Sequence, residues 1–154
     1  MLAAICFALL CVASALLAWI DIKRGIIPDW LNLAIAIVGL ARALSLGGWT
    51  VALQAFGEGI AIGAVLWLLR ALYFRIRKFH GLGLGDVKLL AASGIWIGVA
   101  GVPLQLLIAS LTALATAGIL HVAGQTMTRQ TVLPFGPFLA LGLLVTAGLQ
   151  QSGF

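Results

Sequence analysis

The sequence is poor in charge. Only 8% of its 154 residues are Asp, Glu, Lys or Arg, against about 25% in a typical soluble domain. Because 63% of the residues are hydrophobic, there is too little polar surface to cover a globule in water. The composition therefore excludes an ordinary water-soluble domain, and it predicts a chain that faces lipid over much of its surface.

The sequence gives little support for a metal site or for a disulfide. Cys6 and Cys11 lie in one apolar run and point to different faces of a helix, so we expect no disulfide between them. No CxxC pair is present, and His80 and His121 are too few and too scattered for a metal site. We expect neither a metal nor another cofactor.

The net charge of +5 does not indicate nucleic-acid binding. The nine Lys and Arg residues form short clusters between apolar runs, without aromatic platforms interleaved among them. In membrane proteins such clusters report orientation and contact anionic headgroups. The expected partner is the lipid bilayer, and no nucleic acid is expected.

Long apolar runs take the place of charge. About 20 apolar residues form a helix that crosses a bilayer core of roughly 30 Å, whereas open sheet edges cannot lie in lipid. Six runs qualify or nearly so: 2–20, 30–46, 51–74, 87–99, 102–122 and 135–149. The fourth is short, so it either starts before Val87 or is partly buried in protein. The first is read as a retained span and not as a cleaved signal peptide. The prediction is an all-α polytopic membrane protein with about six transmembrane helices, in one domain over residues 1–154.

The basic residues predict the orientation. All of them except Arg42 lie at the joints after spans one, three and five: Lys23, Arg24, Arg70, Arg75, Arg77, Lys78, Lys88 and Arg129. The positive-inside rule places these joints in the cytoplasm. Both termini are then expected outside it.

Only four acids occur in the chain, and carboxylates at membrane depth are costly. Asp21 ends the first span and Asp86 opens the fourth, so both are expected at the cytoplasmic boundary, where packing of these two spans would bring them together. Two close carboxylates share one proton and can hydrolyse a peptide: one takes a proton from water, and the other donates to the carbonyl oxygen. The alternative is two independent boundary charges, and spacing alone does not decide between them.

Glycines at alternate positions, in Gly81-Leu82-Gly83-Leu84-Gly85, precede Asp86. They are costly in a helix, but they permit an extended backbone or the close approach of another backbone. A protease needs such a segment to hold its substrate beside the catalytic acids. The alternative is a flexible loop. The run is not a nucleotide-binding fingerprint, because no βαβ unit surrounds it.

Three stretches resemble motifs of the type IV prepilin peptidases. Gly83-Leu84-Gly85-Asp86 matches the GxGD motif of polytopic aspartyl proteases, and the longer run 83–92 resembles that family's form of it. Residues 20–29 carry an aspartate seven residues before the proline of an Ile-Pro-Asp step, and residues 133–140 read Leu-Pro-Phe-Gly-Pro-Phe-Leu-Ala. The three motifs occur in the family's order, at alternate joints, and the resemblance covers nearly the whole chain.

The resemblance implies Asp21 and Asp86 as the catalytic aspartates. It implies an endopeptidase that cleaves the basic leader of prepilin or pseudopilin precursors at the cytoplasmic face of the bacterial inner (plasma) membrane, in support of pilus assembly or type II secretion. Larger members carry a cytoplasmic insert, often with paired cysteines, and N-methylate the product. This chain has no such insert, so we expect no methyltransferase activity.

The same motifs imply supporting or substrate-binding roles for six further residues: Gly83, Gly85, Lys88, Pro134, Gly136 and Pro137. Lys88 could bind a substrate carbonyl or be a boundary lysine whose head reaches the membrane surface. The 134–137 run could start a helix or line the active site. Both questions stay open at the level of sequence.

The two remaining acids are expected to be structural. Asp29 follows Pro28, a combination that stabilises a helix N-terminus. Glu58 lies inside the third span, at the wrong depth for catalysis. A non-enzymatic reading also remains, in which a membrane transporter or scaffold subunit uses Asp21 and Asp86 as ion or proton sites. The particular substrate and the oligomeric state are left open.

Overall fold

The computed structural model describes residues 1–77, 83–123 and 134–153. These residues form four helices and no strand: α1 (Leu2–Arg24), α2 (Asp29–Arg77), α3 (Leu84–Val122) and α4 (Gly136–Gln151). The all-α prediction is confirmed, and the fourth predicted span does start before Val87. Four residues singled out above lie outside the described residues: Lys78, His80, Gly81 and Arg129.

Glycines break the two longest helices. Gly47 and Gly48 leave helical geometry within α2, and Gly98 does so within α3; the φ angle is 68° at both Gly48 and Gly98. A positive φ is accessible to glycine at little steric cost. The first break lies at a predicted joint. The second lies at Gly98 and not at the predicted 100–101, because hydropathy does not locate a break inside a continuous apolar stretch.

Glu58, which lies on the neighbouring helix α2, stabilises the break in α3. Its Oε2 accepts a hydrogen bond from the backbone N–H of Val99 at 3.0 Å, where helical geometry resumes after Gly98. Its Oε1 accepts another from the Gln54 amide at 3.0 Å. The start of a helix leaves backbone N–H groups without intrahelical partners. Glu58 caps this start, and the structural role predicted for it is confirmed.

The four helices pack as a ring. α3 packs against α2 and α4, and α1 packs against α2 and α4, but no Cα atom of α1 lies within 8 Å of one in α3. The expectation that spans one and four pack directly is therefore wrong for the described residues. The core is built of leucine and isoleucine from all four helices: Leu10, Leu17, Leu31, Ile35, Leu89, Leu90, Leu139 and Leu143.

A buried amide fixes α4 against α3. Gln105 is 0% exposed, and its Nε2 donates to the Ser93 hydroxyl at 3.0 Å and to the Leu139 carbonyl at 3.1 Å. A Cβ built on Gly142 would lie 2.5 Å from the Gln105 carbonyl oxygen, so the two helices are in close contact there. These contacts set where the first turn of α4 lies.

The outer surface is apolar. α1, α2 and α3 are each long and apolar enough to cross a membrane, and only 22%, 17% and 22% of their most apolar windows is buried in the protein. The rest faces outward, with large side chains such as Trp67, Leu72 and Leu114 more than half exposed. Lipid is the solvent that suits such a surface. The chain is a multi-pass membrane protein, and six crossings remain a prediction.

Candidate active site

Asp21 lies in the last turn of α1. The helix ends at Gly25, which has a φ of 63° and whose N–H donates to the Asp21 carbonyl oxygen at 2.7 Å, as in helices that end on a left-handed glycine. The Asp21 side chain turns inward, and the residue is only 5% exposed. Its Oδ2 accepts a hydrogen bond from the N–H of Gly136 at 3.0 Å. Because Gly136 begins α4, the carboxylate lies at the positive end of that helix dipole.

Asp86 is held in a similar way at the start of α3. Gly83 is the N-cap residue of this helix, with extended backbone angles, and Asp86 lies in the first helical turn. The Asp86 carboxylate accepts a hydrogen bond from the backbone N–H of Gly83, which is one half of a capping box. Both acids are therefore oriented by a glycine N–H from one of the sequence motifs.

The two carboxylates face one cleft. Asp21 and Asp86 both line an open cavity of about 940 Å³, which we call the catalytic cleft. They interact electrostatically, although their Cα atoms are more than 8 Å apart. The structure thus brings the two predicted residues to one cavity.

Ile27 sets the spacing between the motifs. This side chain is 9% exposed and belongs to the core. A Cβ built on Gly85 would lie 2.9 Å from the Cβ of Ile27, and one built on Gly136 would lie 3.1 Å from its Cδ1. Ile27 therefore packs closely against glycines of two motifs. We did not predict a role for Ile27, because the joint also contains Ile22 and Ile26 and its sequence does not single out one of the three.

The other predicted residues fall into two groups. Gly83, Gly85, Lys88 and Pro134 line the catalytic cleft, as does Asp29. Pro137 instead lies in the first turn of α4, so the 134–137 run both lines the cleft and starts a helix. The Lys88 ammonium binds both oxygens of Asp29 at 2.7 Å, with the side chains 48% and 73% exposed. Lys88 therefore pairs with Asp29 at the rim of the cleft.

No metal cluster is evident in the described part of the chain. Residues 1–77, 83–123 and 134–153 contain no group of three or more His, Cys, Asp or Glu side chains that could hold a metal ion. Cys6 and Cys11 are free thiols. Within these residues, the cleft presents the carboxylates of Asp21, Asp29 and Asp86, the Lys88 ammonium and backbone N–H groups.

By its fold and candidate site, the chain is an all-helical, multi-pass membrane protein in which Asp21 and Asp86 line one cleft. Residues 8–118 match the type IV leader peptidase family. The prepilin leader peptidase/N-methyltransferase of Burkholderia pseudomallei (strain K96243) is 37% identical over 134 residues, which is 86% of this chain and 42% of the relative. That of Escherichia coli (strain K12) is 35% identical over 134 residues, 86% of this chain and 57% of the relative.

A third relative, the prepilin leader peptidase/N-methyltransferase of Legionella pneumophila, is 33% identical over 132 residues, 84% of this chain and 44% of the relative. The chain belongs to the type IV leader peptidase family, and the predicted resemblance to this family is confirmed. It spans between 42% and 57% of the length of these relatives. No solved structure matches it.

Proposed function

We propose that this chain is an aspartyl endopeptidase that removes the basic leader of prepilin or pseudopilin precursors at the cytoplasmic face of the bacterial inner membrane, in support of pilus assembly or type II secretion. The main support is the common cleft of Asp21 and Asp86, in which each carboxylate is oriented by a motif glycine. Family membership and the names of the relatives agree with it.

The chemistry requires one proton between the two acids. A precursor binds extended across the catalytic cleft, with its scissile carbonyl between Asp21 and Asp86. The ionised carboxylate takes a proton from water, the water oxygen attacks the carbonyl carbon, and the protonated carboxylate donates to the carbonyl oxygen. The C–N bond then breaks: the proton held by the first carboxylate passes to the leaving amine, and one hydroxyl of the tetrahedral intermediate returns its proton to the second carboxylate. No covalent enzyme intermediate is formed.

The proposed orientation places this reaction where the leader lies. With six crossings and the basic joints in the cytoplasm, the end of α1 and the start of α3 both lie at the cytoplasmic boundary. A substrate with a basic leader keeps that leader on the cytoplasmic side, for the same reason that the enzyme's own basic joints stay there. The bond after the leader then reaches the depth of the two acids.

The test is cleavage of a candidate precursor by purified Asp21→Asn and Asp86→Asn proteins, with Asp29→Asn as the matched control in the same cleft. We expect each of the first two substitutions to lower the cleavage rate at least a thousandfold, because Asn cannot exchange the proton. Asp29→Asn is expected to stay within about tenfold of the wild type, because Asp29 takes no part in the proton exchange. Cleavage retained by Asp21→Asn or by Asp86→Asn would contradict the proposal.

The product identifies the activity further. N-terminal sequencing gives the cleaved bond, and the mass of the product reports whether a methyl group has been added, the second activity in the relatives' names. A chain that moved protons across liposomes and cleaved no precursor would be a transporter of the kind considered above.

A further inference from the structure

A second depression lies beside the catalytic cleft, between α3 and the two segments of α2. It has a volume of about 390 Å³, and we call it the lateral groove. Its lining includes Asn32 and Ala36 from the first segment of α2, Ile60 and Ala64 from the second, and Ala91 and Ile95 from α3. Apart from Asn32 and Lys88, the lining is apolar.

The lateral groove adjoins the catalytic cleft at Lys88, whose ammonium pairs with Asp29. Lys88 lines both cavities, and Ala91 and Ile95 come after it on the same face of α3, three and seven residues further on. Two helical turns of this kind span roughly 10 Å. A chain that passes between Asp21 and Asp86 can therefore run on along α3, away from the catalytic end and into the apolar body of the protein.

The floor of the groove is tightly packed. A Cβ on Gly59 would lie 2.9 Å from the carbonyl oxygen of Ala91, and a Cβ on Gly63 would lie 3.1 Å from the Cβ of Ala91. These glycines serve contact between α2 and α3 and are not free for a ligand. The opening is lined by Ile60 and Ala64, which are exposed. An occupant would contact these two side chains.

Asn32 decides what kind of occupant fits. It is 5% exposed, and neither its amide nitrogen nor its amide oxygen has a hydrogen-bond partner among the described residues. An unpaired amide in an apolar environment is costly. An acyl chain offers such a group nothing, whereas a peptide offers backbone and side-chain donors and acceptors. The position of Asn32 therefore favours a peptide over lipid.

On the basis of the proposed function, we infer that the lateral groove binds the apolar membrane-spanning segment of the peptide substrate, with the Asn32 amide paired to a polar atom of that segment. The catalytic cleft then takes the residues around the scissile bond, and the lateral groove takes the apolar residues on their C-terminal side. Substrate selection is in this way divided between two connected cavities.

Two alanines give a matched test. Ala61 and Ala64 are both exposed and lie on the same segment of α2, but only Ala64 lines the groove. Ala64→Phe fills the opening, and Ala61→Phe adds the same bulk beside it. For a precursor with a complete apolar segment, we expect Ala64→Phe to raise KM at least tenfold and Ala61→Phe to leave it unchanged. For a peptide cut short a few residues after the scissile bond, both variants should match the wild type.

Binding is measured separately from cleavage. A small photoreactive diazirine amino acid, less bulky than phenylalanine, is placed at position 64 or 61 of the Asp86→Asn protein in lipid vesicles, with a synthetic peptide that has a lysine-rich leader, a glycine and about twenty apolar residues. Cross-linking from position 64 and not from 61 is the expected result. Equal cross-linking from both positions, no peptide adduct, or lipid adducts alone at position 64 would overturn the inference. If the wild type cleaves no precursor, the proposed function fails, and the cross-linking result still decides the groove.

Discussion

At the scale of single residues, Gly136 has no space for a side chain. A Cβ there would lie 2.5 Å from Oδ2 of Asp21 and 3.0 Å from its Cγ, closer than real Cβ contacts allow. Gly136→Ala must therefore displace either the carboxylate or the start of α4. We expect the kcat for precursor cleavage to fall at least tenfold while KM changes little, because the substitution disturbs the reacting group.

Gly118→Ala is the control for that substitution, since a Cβ at Gly118 would meet nothing within 4 Å. Alanine also has the higher helix propensity, so this variant should be as active and at least as stable as the wild type. Equal kcat values for the two variants would contradict the account of Gly136. Steady-state kinetics on the same precursor makes the comparison.

The ion pair of Lys88 and Asp29 is expected to matter little for stability. Both side chains are well exposed, 48% and 73%, and exposed pairs contribute about 0.2–1 kcal/mol. A double-mutant cycle with Lys88→Met and Asp29→Asn, read from denaturant unfolding in detergent, should give a coupling energy in that range. A coupling above about 2 kcal/mol would mean that the pair is far better shielded from solvent than its exposure indicates.

At the scale of elements, the break in α3 depends on Glu58 and Gly98. Glu58→Ala removes the acceptor for the Val99 N–H, and we expect it to lower the free energy of unfolding by about 1–2 kcal/mol. Glu58→Gln keeps an acceptor and should recover most of that loss. Thermal unfolding in detergent measures both. Leader cleavage at a temperature where the variants are folded should be unchanged, because Glu58 does not line the catalytic cleft.

Much of the element structure could be predicted from the sequence. Long apolar runs indicate helices, and the Gly47–Gly48 pair marks a break because two adjacent glycines interrupt an apolar stretch. The break at Gly98 was misplaced by two residues, since the signal that determines it is Glu58 on another helix. A tertiary contact of this kind leaves no periodic pattern in the segment that it caps.

The candidate site could also be predicted only in part. The sequence motifs indicated Asp21, Asp86 and their glycines as parts of one site, because these residue types occur at the spacing that the motifs require. The prediction that the first and fourth spans pack directly was wrong, since the depth of a residue in the membrane does not determine which helices are neighbours. Ile27 and Asn32 were missed for a related reason: their importance lies in what surrounds them and not in their residue type.

At the scale of the whole molecule, the proposed orientation can be tested with single cysteines in a Cys6→Ala, Cys11→Ala background. Ser152→Cys should react with a membrane-impermeant maleimide in intact spheroplasts. Arg24→Cys should react only after the membrane is permeabilised. Both positions are exposed in the structure, so a difference in labelling reports the side of the membrane. Labelling of both from the outside would contradict the six-crossing arrangement.

The two acids of the catalytic cleft are unequally accessible. Asp21 is 5% exposed and lies against Gly136, whereas Asp86 is partly exposed at the start of α3. A carbodiimide with a small amine should therefore modify Asp86 well before Asp21, which peptide mass spectrometry would reveal. Compounds built to engage the more accessible Asp86 carboxylate are therefore the natural starting point for inhibiting the proposed peptidase.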